Sequence, residues 1–147
     1  MQEESRFEDF VGLIGAIEKE IQRIKTAELA RFGLRASDLM VVYYLEKNPE
    51  GLTGAELARL ADVDRAAVSR TLSRLAEDGF VEVGEASSRY KAPVRLTDRG
   101  YAVMAEVDGI ISKVVKQAGG DLIDEQRRVL YASLEAVLSQ LKTISRP

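Results

Sequence analysis

The tightest constraint on this chain is the run from Thr53 to Gly79, which spells two short capped helices separated by a turn of three residues. Thr53 and Glu56 have the Thr-x-x-Glu spacing of a capping box, in which each side chain satisfies the other residue's backbone amide. Leu57, Ala58 and Leu60 supply the buried side of the helix that follows, and Ala61-Asp62-Val63 is the turn. Asp64 then caps a second helix over residues 65–78, with Val68, Leu72 and Leu75 as its apolar stripe and Gly79 as its C′ residue. Two helices this short, joined this tightly and with a small alanine in the first, fit a helix–turn–helix. Just upstream, Leu39-Met40-Val41-Val42-Tyr43-Tyr44-Leu45 reads as a short buried helix that Asn48-Pro49-Glu50-Gly51 ends. Downstream, Phe80, Val81 and Val83 alternate with polar residues, a polar loop covers 84–91, and Val94 and Leu96 resume the pattern. That is a β-hairpin, so the helix–turn–helix carries a wing.

Long helices flank the module. Phe7, Phe10, Ile14, Ile17, Ile21 and Ile24 recur at steps of three and four, with Ser5 as a candidate N-cap and an end near Gly33. A helix over residues 5–29 is roughly 38 Å long, more than a small core needs. A second begins near Thr97 or Asp98 and carries Val103, Val107, Ile110 and Val114 on a broad apolar face with Met104, Ile111 and Val115. A third follows the Gly119-Gly120-Asp121 break, with Asp124 as candidate N-cap and Leu130, Leu134, Val137, Leu141 and Ile144 as its stripe. Packing within one subunit would use these stripes, but the centre has a core of its own. Their spacing therefore favours pairing between two copies, with Phe7, Phe10, Ile14, Ile17, Ile21, Leu130, Leu134, Val137 and Leu141 at the interface. The expected fold is mainly α with a small β-hairpin wing. A winged helix-turn-helix at 34–97 is flanked by dimerisation helices at 1–33 and 98–147 in one continuous domain.

The net charge of −3 conceals an uneven distribution. Residues 65–74 hold Arg65, Arg70 and Arg74 with no acid, and residues 86–95 hold Arg89, Lys91 and Arg95 with no acid. Local charge, not the whole-chain sum, attracts a phosphate backbone. On the second helix of the module, Ala66, Ser69, Arg70, Ser73 and Arg74 lie opposite the apolar stripe, and short side chains there let the backbone approach base edges. Arg70 and Arg74 are a like-charge pair at i,i+4, which costs about 0.2–0.5 kcal/mol in isolation and which a phosphate or guanine would relieve. Arg65, Arg74, Arg89 and Lys91 are then candidates to neutralise phosphates, while Ala66, Ser69, Arg70 and Ser73 approach bases. Arg95 completes the basic wing, whose tip arginine suits a minor groove or phosphates. The expected partner is double-stranded DNA. A winged-helix module that presents its basic face to an acidic protein is the alternative.

Composition argues against catalysis. The chain has no cysteine and no histidine, which removes disulfides, thiolate metal sites and the commonest general base. No phosphate-cradling glycine loop or distinctive acidic pair appears, so neither a catalytic residue, a metal ligand nor a cofactor is assigned. Residues 1–9 are acidic, the reverse of a signal peptide, and the longest apolar run covers residues 39–45, far short of the ~20 residues that span a bilayer. A cytoplasmic protein without membrane contact is expected.

Leu57-Ala58, Val63-x-x-x-x-Val68-Ser69-Arg70, Leu75-x-x-x-Gly79-Phe80-Val81 and Leu96-Thr97-x-x-Gly100-Tyr101, taken in this order, resemble the reader module of the MarR family of bacterial transcription regulators. The resemblance covers nearly the whole chain. It implies a winged-helix homodimer whose terminal helices form the interface and whose recognition helices enter the major groove of pseudo-palindromic operators. Members are most often repressors, and many release DNA on binding small aromatic compounds. By that analogy Arg35, Met40, Tyr43 and Tyr44 would line an effector pocket, although they are equally explained as core and capping residues. Three features depart from the family pattern. Ser88 and Tyr90 stand where the wing usually has aspartate and arginine, which shifts the wing contact to Arg89 or Lys91. Pro93 implies an edge strand or a bulge. Asp62 occupies a turn position that is often glycine.

Overall fold

The computed structural model describes residues 3–85 and 91–144. Helix α1 spans Glu3–Ala30, and a 3-10 turn at Ala36–Asp38 leads into α2 at Leu39–Lys47. The helix–turn–helix is α3, Gly54–Ala61, and α4, Arg65–Glu77. Strands β1, Val81–Val83, and β2, Val94–Leu96, form the wing, and α5, Asp98–Ala118, and α6, Asp124–Thr143, follow. The chain divides into two compact units, residues 1–108 and residues 109–147.

The first unit has its core where α2, α3, α4, the hairpin and the start of α5 converge. Val42, Leu45, Leu57, Val68, Leu75, Phe80, Met104 and Val107 are almost wholly enclosed there. Each contributes about 1.5–3 kcal/mol by leaving water. Local chemistry sets where the helices stop. At the end of α4 the Phe80 amide reaches back to the Leu75 carbonyl (2.9 Å) and the Gly79 amide to Ala76 (3.1 Å), with Gly79 at φ +84°. The end of α1 repeats this, Leu34 to Leu29 (3.1 Å) and Gly33 to Ala30 (3.1 Å). In both, the two apolar residues that bracket the turn are buried, the usual companion of such a C-cap. Helix α3 ends similarly, Val63 to Ala58 (3.1 Å), but the left-handed residue is Asp62 at φ 55°. An aspartate tolerates this conformation better than most side chains.

The wing is antiparallel, with Val81 opposite Leu96, Glu82 opposite Arg95 and Val83 opposite Val94. Leu52 adds a one-residue bridge on the other side of β2: its amide donates to the Val94 carbonyl (3.0 Å), and its carbonyl accepts from the Val94 amide (2.8 Å). Pro93 sits just before β2, and its carbonyl accepts from the Gly84 amide (2.7 Å), so its missing N–H interrupts no rung. The Leu96-Thr97-x-x-Gly100 signature is a fastening. The Thr97 amide donates to the Phe80 carbonyl (3.0 Å) and the Thr97 hydroxyl to the Gly79 carbonyl (2.6 Å). The same hydroxyl accepts from the Gly100 amide (3.2 Å), capping α5. Arg99 adds a bond to the Asp78 carbonyl (2.6 Å) and stacks over the Phe80 ring at 4.5 Å. The Glu46 carboxyl of α2 lies near the Asp108 carboxyl of α5. Burial of Glu46, then its hydrogen bond and repulsion with Asp108, raise the Glu46 carboxyl above the ordinary 4.5, and nearby Lys47 opposes the rise.

Several expectations need correction. Helix α1 begins at Glu3, so Ser5 lies inside it instead of capping it. Leu60 is 44% exposed, not buried: α3 is too short to turn three apolar positions inward, and Leu57 with Ala58 fill that side. Leu72 is half-buried where Val68 and Leu75 are enclosed. Along α1, Phe10, Val11, Leu13, Ile14, Ile17 and Ile21 are all exposed; the Phe7 side chain lies outside the described residues.

In the second unit, Arg127 gathers the turn between α5 and α6. It donates to the carbonyls of Gly119 (3.0 Å) and Leu122 (3.3 Å) and pairs with Asp124 (3.2 Å). Asp124 is therefore the first residue of α6, not its cap; the Ile123 amide is satisfied by the Gln126 side chain (3.0 Å). Leu130, Leu134, Val137 and Leu141 are exposed. No helix among the described residues is long and apolar enough to cross a membrane.

Candidate nucleic-acid interface

Helix α4 is held at both ends. The Asp64 carboxylate accepts from the Ala67 amide (2.7 Å), and Thr53 plays the same part for α3, accepting from Glu56 (3.2 Å). With Val68 and Leu75 in the core, the opposite face presents Arg65, Ala66, Ser69, Arg70 and Ser73 to solvent. These five expected residues are thus brought together on one exposed face about 12 Å long.

Arg74 is different. It was expected to neutralise a phosphate, but its guanidinium is paired with Asp38, whose side chain is 0% exposed, and Arg74 itself keeps only 23% of its surface. The other Asp38 oxygen accepts from the Arg35 amide (2.7 Å), so both carboxylate oxygens are used. The like-charge cost foreseen between Arg70 and Arg74 is met inside the protein. Nothing local in the sequence signals this, because the two partners are 36 residues apart. Arg70 makes no ion pair or hydrogen bond with any other described residue.

Beside this face is an open cavity of about 410 Å³, lined by Gly54 and Ala55 of α3, Arg65, Ser69, Leu72, Ser73 and Ala76 of α4, and Val83, Ala92 and Val94 of the wing. Its floor is apolar and its α4 rim polar. Lys91 and Arg95 are exposed on the wing, Arg95 directly opposite Glu82. Arg89 lies outside the described residues.

The four residues considered for an effector are scattered in environment. Arg35 and Met40 are exposed, and Tyr43 and Tyr44 are half-buried, their rings edge to face at 5.6 Å. The Lys47 ammonium lies 5.3 Å from the Tyr43 ring. Among the described residues no group of three or more acidic side chains is placed to hold a metal ion.

Comparison with known proteins matches this arrangement. Residues 32–89, a span that begins just past α1 and takes in α2, α3, α4 and β1, match the model of the MarR family. The HTH-type transcriptional repressor Mb2911 of Mycobacterium bovis is 30% identical over 111 residues, 75% of this chain and 79% of that repressor. The chain belongs to the MarR family. The HTH-type transcriptional regulator BilQ of Clostridioides difficile is 31% identical over 83 residues, 56% of this MarR-family chain and 55% of BilQ. The fold is shared with the S. aureus MepR–DNA complex at a TM-score of 0.80 and 20% identity, over 88% of this chain and 94% of MepR. Mb2911 and BilQ are both transcriptional regulators by name.

Proposed function

We propose that this MarR-family chain is a sequence-specific DNA-binding repressor that acts as a homodimer on a pseudo-palindromic operator. The observation that carries the reading is the exposed face of α4, where Arg70, which pairs with no other described residue, stands among short side chains on a helix capped at both ends. Alanine and serine at Ala66, Ser69 and Ser73 let the helix lie close to base edges in a major groove, and a guanidinium is the commonest specific reader there. Arg65, Lys91 and Arg95, together with Arg89, supply cations for phosphates on either side. MepR was solved with DNA on the same fold, and Mb2911 is a repressor by name.

The apolar residues left exposed on α1, and separately on α6, support the homodimer, since contiguous apolar surface of this kind marks an interface. A dimer would set two recognition helices about 34 Å apart on one face of the duplex. Release by a small aromatic compound belongs to the same reading, with Arg35, Met40, Tyr43 and Tyr44 as the contacts to test. Fluorescence anisotropy with DNA from upstream of the gene, against scrambled DNA over a salt series, decides the main claim. Tight binding at one dimer per site is expected, with Arg70→Ala weakening it by about 1–3 kcal/mol. Equal binding to both duplexes refutes sequence-specific readout, and no binding at low salt points to a protein partner.

A further inference from the structure

We propose that Asp38 withholds Arg74 from the DNA, so that each half-site is read through a single guanine by Arg70. The inference rests on the DNA-binding reading above and deepens it. Residues four apart on a helix are offset by about 40° around its axis and 6 Å along it. That offset is what separates the two arginines: Arg70 stands on the solvent face, and Arg74 turns toward the start of α2, where Asp38 takes its charge. Lending Arg74 to a phosphate would strand a fully buried carboxylate whose other oxygen is already held by the Arg35 amide. An uncompensated buried charge is among the costliest changes a fold can make, so the pair stays closed.

The rest of α4 narrows the code further. Its sequence, RAAVSRTLSRLAE, contains no asparagine or glutamine, the side chains that read adenine bidentately, and no lysine. With Arg74 withheld and Arg65, the first residue of α4, assigned above to a phosphate, Arg70 is the arginine of α4 left to engage the paired O6 and N7 acceptors of a guanine. Ala66, one turn before it, presents a methyl group suited to a thymine methyl. Ser69 and Ser73 accept or donate without strong preference. A half-site should show one strongly required guanine, weaker choice beside it, and no adenine demanded by this helix.

Selection of the full-length protein on randomised duplexes tests this, with Arg70→Ala as the variant, since its side chain is exposed and makes no described internal bond. The wild type should enrich one guanine per half-site. Arg70→Ala should lose that guanine preference and fall about 10- to 100-fold in affinity for the selected duplex, yet keep its salt dependence. Enrichment of the same guanine by Arg70→Ala overturns the assignment. A second measurement uses the wild type alone: the Nε–Hε resonances of its arginines, with and without the selected duplex. Arg70 should shift and Arg74 should stay in place; a shift of Arg74 comparable to that of Arg70 refutes the withholding. Failure of the wild type to enrich any sequence would instead remove the underlying DNA-reader proposal.

Discussion

Replacing Gly100 by alanine sets two physical effects against each other. In a helix interior, glycine is worse than alanine by about 1 kcal/mol, so propensity alone predicts a more stable protein. The structure predicts the reverse. A Cβ at Gly100 would land on the carbonyl oxygen of Phe80, well inside contact distance, and also sit 3.1 Å and 3.2 Å from Leu96 side-chain carbons. That carbonyl accepts the Thr97 amide at 3.0 Å, so it cannot move away without loosening the fastening between the wing and α5. Overpacking costs about 1–3 kcal/mol and a weakened buried hydrogen bond about 0.5–1.5 kcal/mol. Set against the gain in propensity, the net is a loss of about 2 kcal/mol. For a chain of this length that lowers Tm by roughly 4–8 °C. Thermal unfolding followed by circular dichroism, at one fixed protein concentration, reads it out. Gly109→Ala is the control, because a Cβ there meets nothing within 4 Å and the same helix should gain stability. A Gly100→Ala protein as stable as the wild type would refute the steric argument.

Asp62→Gly should stabilise the protein by about 1 kcal/mol, because glycine adopts the left-handed conformation without the cost an aspartate bears there; chemical denaturation showing a lower midpoint would contradict this. Asp64→Ala removes the bond to the Ala67 amide and should cost about 0.5–2 kcal/mol by the same assay, with loss of helix order at the N-terminal end of α4 visible in amide exchange. Glu46→Gln should raise Tm at neutral pH and leave it unchanged in acid. The folded-state pKa of Glu46 lies above 4.5, so the native state holds this proton more tightly than the unfolded chain, and stability falls as pH rises through that range. A melting series from acid to neutral pH in which the variant gains nothing would show that the Glu46 charge carries no cost.

What could be read in the sequence was what short-range chemistry decides. Asp64 caps α4, Gly79 closes it in a left-handed turn, and Thr97 with Gly100 starts α5, each within four residues of the atoms it satisfies. The exposed face of α4 followed from the positions of Val68 and Leu75, because burying two residues a helical repeat apart leaves the opposite side to solvent. Arg74 escaped that logic. It lies at the edge of the face, and whether it turns outward depends on a carboxylate 36 positions earlier that packing alone brings near. Leu52 escaped too: one residue is too short for an alternating pattern, and its rung exists only because β2 arrives beside it. Leu60 read as buried because it is apolar, but which side of an eight-residue helix faces inward depends on its neighbours.

The bonds from Thr97 and Arg99 to Gly79, Phe80 and Asp78 make the C-terminal end of α4 a pivot. Helix α4 extends about 20 Å from that point. Leverage follows from the length: a tilt of about 10° at the pivot carries Arg65 through about 3.4 Å, one step of the duplex. Arg70, nearer the fulcrum, travels about half as far. Because α5 begins at the same bonds, a small rotation of its first turn is enough to throw the helix out of register with a groove, and the core must yield with it: Val68, farther from the fulcrum than Arg70, moves about 2.6 Å while Leu75 beside the pivot moves less than about 1 Å.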